Sequence, residues 1–61
     1  MFYLCNIFWD GNLKTTEYFY EDGSKMSTME EIWDGDEIVY RRIWDHDKEK
    51  FIYERYFQTL E

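Results

Sequence analysis

The sequence predicts an all-β domain, a five-stranded antiparallel meander that is strongly curled or closed into a small barrel. Asp-Gly recurs at a step of twelve residues, at positions 10–11, 22–23 and 34–35. This dipeptide between β-branched and aromatic residues is the strongest short-range signal for a β-hairpin. A fourth turn is indicated by the polar run 45–50 between two apolar segments. Aromatic residues, which favour strands, make up 23 % of the chain.

These turns divide the chain into five predicted strands. The first is apolar at every position but Asn6, which in so short a run indicates a strand covered on both faces. The second is rich in Thr, Tyr and Phe, and the fourth and fifth hold most of the remaining β-branched and aromatic residues. The predicted strands are 2–9, 13–21, 26–33, 37–44 and 51–53.

The third segment also permits a helix. Ser27 followed by Glu30, and Thr28 followed by Glu31, both fit a helical capping box ahead of an apolar pair. The alternative fold is therefore ββαββ, with a short helix near 27–33. We favour the strand because the constant twelve-residue step of Asp-Gly matches a strand plus a two-residue turn.

Two-residue turns fix which residues lie opposite one another. Turns centred on 10–11, 22–23, 34–35 and 47–48 give apolar or oppositely charged neighbours in every hairpin, and such pairs stabilise a sheet. They leave apolar side chains on both faces, which predicts curling and self-association. The expected pairs are Phe2–Phe19, Phe8–Leu13, Phe19–Met26, Leu13–Ile32, Lys14–Glu31, Asp45–Lys50, Trp44–Phe51, Ile43–Ile52, Arg41–Glu54 and Tyr40–Arg55.

Sixty-one residues are expected to form one small domain, 1–61, with a marginal core. Cys5 is the only cysteine, so a disulfide cannot add stability, and in an apolar run it is expected to be a small buried hydrophobe. Oligomerisation, with a homodimer as the simplest form, is the remaining support. The apolar run 1–9 is too short to span a bilayer and lacks the pattern of a signal peptide, so we expect a cytoplasmic protein.

The sequence offers no catalytic or cofactor motif. His46 is the only histidine, which excludes a histidine-rich metal centre. The acidic turns 34–37 and 45–47 have neither the ligand number nor the spacing of a zinc or calcium loop. No long loop is present to enclose a substrate. We predict a protein that is not an enzyme and that holds no metal or cofactor.

The net charge of −7 limits the partners. A field of this sign repels nucleic acid and anionic membranes and accelerates association with basic proteins. The first interpretation is therefore a binding or inhibitor protein that presents carboxylates in place of phosphates and occludes a basic site on a nuclease or another host-defence protein, as small acidic viral anti-defence proteins do. Its expected partner-binding residues lie in two turns: Asp34, Asp36, Glu37, Asp45, Asp47 and Glu49.

The second interpretation is a homo-oligomeric structural or adaptor module. Here an aromatic face mediates the contact, and the acidity serves only to keep the protein in solution. Large aromatic side chains dominate the energy of many protein interfaces. The expected self-association anchors are Trp9, Trp33, Tyr40 and Trp44.

Overall fold

A computed structural model describes residues 4–57 of the chain. These residues form one antiparallel sheet with strands in the order β1-β2-β3-β4-β5, each paired with its neighbours in sequence. The predicted five-stranded meander is confirmed. The first and last strands do not pair, so the sheet is open and the expected closed barrel is wrong. The strands are β1 Leu4–Asp10, β2 Leu13–Phe19, β3 Lys25–Asp34, β4 Glu37–Asp45 and β5 Lys50–Tyr56.

The third segment is a strand, and residues 4–57 contain no helix. β3 is the longest strand and lies in the centre of the sheet, paired with β2 on one side and β4 on the other. The capping-box pattern at Ser27 and Thr28 is therefore overridden, because a strand here satisfies the backbone groups along both of its edges. The ββαββ alternative is excluded.

The first and third turns lie one residue later than predicted. Asp10 pairs with Leu13 and Asp34 with Glu37, so the two-residue loops are 11–12 and 35–36. Gly11 and Gly35 have φ of 62° and 64°, whereas the second residue of each loop has an ordinary negative φ. This sign pattern is that of a type II′ turn with glycine in the first central position, not the expected type I′ turn.

This displacement changes the register between β1 and β2. Phe8 lies opposite Thr15, not opposite Leu13 as expected, and Phe19 lies opposite Leu4. The other residue of the expected pair Phe2–Phe19 lies outside the described residues. Because the pairing moves by two positions, each side chain of β1 stays on its expected face of the sheet.

The second connection is longer than a two-residue turn. β2 ends at Phe19 and β3 begins at Lys25, and Phe19 pairs with Lys25 across a register shift in place of the expected Met26. Asp22 explains the longer loop, because its carboxylate accepts hydrogen bonds from the backbone N–H and the hydroxyl of Ser24, at 2.9 and 2.6 Å. The predicted pairs Leu13–Ile32 and Lys14–Glu31 are confirmed.

A bulge between Ile32 and Trp33 sets the register of β4. Beyond it, Glu31 lies opposite Arg41 and Glu30 opposite Arg42. Without the bulge, the pairing that begins at Asp34–Glu37 would place Arg41 opposite Glu30 and Arg42 opposite Met29. The extra residue therefore joins two acidic residues to two arginines, one pair on each face of the sheet.

The fourth hairpin begins as predicted, with Asp45 opposite Lys50 and Trp44 opposite Phe51. A second bulge then shifts the ladder by one residue between Ile43 and Trp44. The expected pairs beyond that point are wrong. The observed pairs are Ile43–Tyr53, Arg42–Glu54, Arg41–Arg55 and Tyr40–Tyr56.

The sheet has no buried hydrophobic side chain among residues 4–57. The side chains that are buried there are polar, Thr16 and Glu31. Cys5, expected to be buried, is exposed on β1. Closing five strands would enclose one of the two acid–arginine pairs in a space too narrow for it, since about eight strands are needed for an interior that side chains just fill.

Candidate partner-binding surfaces

Two turns at one end of the sheet carry acidic side chains that are free of partners. We call this the Gly11/Gly35 end, made of residues 10–13 and 34–37. A hydrogen bond of 2.9 Å from the Trp33 N–H to the Asn12 carbonyl holds the two turns side by side. Four acidic residues here are exposed, and within the described chain their side-chain carboxylates make neither an ion pair nor a hydrogen bond; they are Asp10, Asp34, Asp36 and Glu37.

The predicted residues Asp34, Asp36 and Glu37 thus lie together with Asp10 of the neighbouring hairpin, a grouping that the sequence predicts because the turns of a meander alternate between the two ends of the sheet. The two turn segments contain no lysine or arginine. The nearest cation in sequence is Lys14, whose ammonium lies 5.7 Å from the Trp9 ring and 5.9 Å from the Trp33 ring.

The opposite end of the sheet has a different character. Asp45 Oδ1 accepts hydrogen bonds from the backbone N–H groups of Asp47 and Lys48, at 2.9 and 3.1 Å. The Tyr20 hydroxyl donates a hydrogen bond to the Asp47 carboxylate. Glu49 has a positive φ of 53°, as the last residue of this turn before β5. The carboxylates predicted here are largely engaged in shaping and joining their own turns.

Lysine residues also offset the charge at that end. Lys48 and Lys50 lie in the same turn as the predicted acidic residues, and Lys25 lies at the start of β3, with its ammonium 2.8 Å from a carboxylate oxygen of Glu17. The Gly11/Gly35 end has no such compensation within its turns. The turns of the Gly11/Gly35 end therefore carry a net charge of −4, whereas residues 20–25 and 45–50 at the opposite end, with five acidic residues and three lysines, carry −2.

The four predicted aromatic anchors are divided between the two faces. Trp9 and Trp33 share one face, with ring centroids 6.2 Å apart. Tyr40 and Trp44 lie on the other face, because side chains alternate along a strand and Arg41, which pairs with Glu31, lies an odd number of positions from both. The Tyr40 and Tyr56 rings are in tilted contact, with centroids 4.7 Å apart, and Trp44 meets Phe51 edge-on at 4.8 Å. These four side chains do not form one continuous surface.

One row of residues crosses all five strands on the Trp9 face, with a tryptophan on β1 and a charged residue on each of the other four strands. Its successive neighbours are Trp9, Lys14, Glu31, Arg41 and Arg55. Arg41 donates a hydrogen bond to the Glu31 carboxylate. The guanidinium carbons of Arg41 and Arg55 lie 5.6 and 5.0 Å from the centroid of the Phe57 ring. We did not predict this row from the sequence. The adjacent pairs Glu30-Glu31 and Arg41-Arg42 were a usable signal, since only one register joins both.

The described residues present no arrangement typical of a metal centre. No group of three or more His, Cys, Asp or Glu side chains in residues 4–57 is placed to hold a metal ion. His46 Nε2 lies 2.9 Å from the Thr28 hydroxyl and serves to join the fourth turn to β3. Across the same residues, no helix is long and apolar enough to cross a membrane.

Comparison with known proteins gives no relative: no family model, curated protein or solved structure matches the chain. The functional proposals below therefore depend on the geometry and charge of the sheet.

Proposed function

We propose that this chain is a non-enzymatic acidic binding protein that occludes a basic site on a nuclease or another nucleic-acid-binding partner. The observation that carries the proposal is the Gly11/Gly35 end, where four exposed carboxylates lie on two adjoining turns with no cation between them. Such a group presents negative charge to a basic surface as phosphates would. Its field also accelerates association with a basic partner.

Rigidity supports the same proposal. The two turns are tight, their positions are fixed by the Leu13–Ile32 pairing and by the bond between Trp33 and Asn12, and they extend from paired strands. Because the backbone that carries these carboxylates is already ordered, binding does not require a loop to become ordered. An inhibitor of this kind fits a viral anti-defence role, in which a small protein blocks a host nuclease.

The experiment is a competition assay with a panel of purified basic nucleases and a fluorescent DNA substrate. We expect the protein to raise the apparent KM for DNA without changing kcat, and to do so more strongly at low salt. The triple variant D34K/D36K/E37K should weaken inhibition by about 2–3 kcal/mol, because three exposed charges each contribute about 0.2–1 kcal/mol and reversal adds repulsion.

The matched control is D45K/D47K/E49K, which makes the same charge change at the opposite end. We expect this control to lose less inhibition, since its carboxylates are engaged in their own turns and lie beside lysines. Circular dichroism establishes that both variants fold. Equal inhibition by the parent and both triple variants, or no inhibition of any nuclease in the panel, would contradict the proposal.

The second candidate function is a self-associating adaptor. It is favoured by one observation, the lack of any buried hydrophobic side chain in residues 4–57. Apolar side chains that stay partly exposed gain only part of the stabilisation that the hydrophobic effect, the dominant favourable term in folding, gives to a buried core. If this candidate is right, W33A or Y40A changes the adaptor contact with little effect on its salt dependence.

A further inference from the structure

β1 is an unprotected sheet edge. All seven of its residues are exposed, and Asp10, at its end, is the one charged side chain it carries. Its pairing with β2 runs without a bulge from Leu4 to Asp10. Natural proteins normally protect such an edge with charged residues, proline or a bulge, because its unpaired N–H and C=O groups can pair with another strand. β1 has none of these protections between Leu4 and Trp9.

The other edge of the sheet is protected. β5 carries Lys50, Glu54 and Arg55 within seven residues, and a bulge interrupts its pairing with β4. Charged side chains on an edge strand oppose pairing with a second chain, and a bulge twists the strand. The two edges therefore differ in their capacity for strand addition, although both expose large apolar side chains.

The turn at 11–12 determines which backbone groups of β1 are free. In a two-residue hairpin the residues that flank the loop, here Asp10 and Leu13, exchange main-chain hydrogen bonds. Alternate residues of β1 then bond to β2, and those between them direct their N–H and C=O groups outward. The outward residues are Cys5, Ile7 and Trp9.

We infer that β1 pairs with β1 of a second copy of this chain, antiparallel about a two-fold axis at Ile7, to give one continuous ten-stranded sheet. This register places Ile7 opposite Ile7, and Cys5 opposite Trp9 of the second copy. Every outward backbone group of the described strand is then paired, through about six main-chain hydrogen bonds. The inference is independent of the proposed inhibitory function.

Charge selects both the partner strand and its direction. On a chain of net charge −7, the segment from Leu4 to Trp9 is free of charge, so two copies can approach there with little local repulsion. The antiparallel register places Asp10 beside Leu4 of the second copy. The two Asp10 residues then lie about 20 Å apart at a rise of about 3.4 Å per residue, more than two Debye lengths at physiological salt. A parallel pair would bring the two Gly11/Gly35 ends together.

Edge pairing also covers exposed apolar surface. Ile7 and Trp9 are 55 % and 54 % exposed, and Phe8 is 50 % exposed on the other face. Directly opposed side chains in an antiparallel pair have Cβ atoms about 4.5–5.5 Å apart. The Ile7–Ile7 and Cys5–Trp9 contacts would therefore cover apolar area on one face, and Phe8 beside Asn6 of the second copy would cover area on the other.

The first experiment is sedimentation equilibrium of the full chain from about 1 to 100 µM. The parent should be a dimer in this range. Ile7→Lys should weaken dimerisation at least tenfold, because the two-fold axis places the two introduced lysines directly opposite each other, and like charges in that position are destabilising. Ile52→Lys on β5 is the matched control, since Ile52 is 50 % exposed on the other edge and the charge change is the same.

A parent that stays monomeric at 100 µM, or an Ile52→Lys variant that dissociates as readily as Ile7→Lys, would overturn the inference. Ile7→Thr serves as a second variant in case Ile7→Lys does not fold: it keeps the strand and its N–H and should remain mostly dimeric.

Amide hydrogen exchange separates edge pairing from face-to-face packing. In the dimer, the outward N–H groups of Cys5, Ile7 and Trp9 should be protected at least tenfold more than in the Ile7→Lys monomer, while those of Asn6 and Phe8 are protected in both. A parent dimer in which the outward amides exchange as fast as in the monomer would contradict pairing through β1.

Discussion

Arg41 donates two charge-assisted contacts to one oxygen of a buried glutamate. Its Nε and Nη2 lie 2.8 and 2.7 Å from Glu31 Oε2, and Glu31 is 2 % exposed. One residue further along each strand, Arg42 Nε lies 2.7 Å from Glu30 Oε1 on the opposite, more open face. The sheet thus contains two Glu–Arg ion pairs, one buried and one accessible to water.

We predict that Arg41→Met costs about 3 kcal/mol in the free energy of unfolding, because it leaves the buried Glu31 carboxylate without its cation. Arg42→Met is the matched control. It should cost about 0.2–1 kcal/mol, the range for exposed pairs, since both partners remain accessible to water. Urea unfolding of the two variants measures the difference, and equal losses would contradict the distinction between the two faces.

Replacing both members of the buried pair should restore stability. Glu31→Leu combined with Arg41→Met removes the uncompensated charge together with its partner, and such double replacements are often neutral or stabilising. We expect the double variant to be more stable than Arg41→Met alone. A double variant less stable than the single one would show that Glu31 has a stabilising role apart from Arg41.

A further prediction concerns the first turn. Gly11→Val should destabilise the sheet by about 1–2 kcal/mol, because φ of 62° is unfavourable for an L-residue with a branched Cβ. No atom lies within 4 Å of the added Cβ, so the cost is backbone strain and not a clash. Gly35→Val should behave alike. Asn12→Val, at the adjacent position of ordinary φ, should cost less; a loss equal to that of Gly11→Val would contradict the turn assignment.

The contrast between Gly11 and Asn12 shows which features of a turn can be predicted from the sequence. Asp-Gly located three of the four turns and so the strands, because glycine adopts a positive φ without the steric cost that other residues pay. The dipeptide did not determine whether glycine takes the first or second central position. That choice depends on which turn type matches the twist of the flanking strands, a property of the folded hairpin.

The bulge at Ile32 and Trp33 was beyond prediction for a related reason. Its position follows from a competition between an uninterrupted ladder and the pairing of Glu31 with Arg41, two residues ten positions apart. Strand propensity is local and does not contain that energy. The candidate acidic site was more predictable than the bulge, since exposed turn carboxylates depend on the turns alone. Whether these carboxylates have ion-pair or hydrogen-bond partners depends on the pairing of the whole sheet, which the turns alone do not determine.

Acid stability should depend on the loop that joins β2 and β3. Hydrogen bonds from the Ser24 hydroxyl and N–H lower the pKa of Asp22 below its ordinary value of 3.8. A lowered pKa in the folded state contributes stability that is present above pH 3.8 and lost as the pH falls through the folded value. Ser24→Ala should raise the pKa of Asp22 toward 3.8. The titration of the Asp22 carboxyl carbon resonance, measured by NMR, reports this pKa. An Asp22 pKa unchanged in Ser24→Ala would contradict this assignment.

Alkaline stability should depend on the contact between β4 and β5. The Tyr40 hydroxyl donates a hydrogen bond of 2.6 Å to Glu54 Oε2, and this bond raises the pKa of Tyr40 above its ordinary value of 10.0. The bond needs a protonated tyrosine. Its contribution to stability is therefore fully present below pH 10 and is lost as the pH rises through the folded pKa. Tyr40→Phe should show a shallower loss of stability than the parent in that range.

Glu54→Gln tests the cause of the shift. Removing the carboxylate charge should lower the Tyr40 pKa toward 10.0, because the amide oxygen accepts a weaker hydrogen bond and no longer repels a phenolate. The Cζ resonance of Tyr40 reports the titration directly. Tyr56→Phe is the control. The Tyr56 ring is in tilted contact with Tyr40, at 4.7 Å between centroids, but the charge of Tyr56 contributes least of the effects that raise the pKa of Tyr40. If Tyr56→Phe shifts the Tyr40 titration more than Glu54→Gln does, the aromatic contact and not the hydrogen bond controls this pKa.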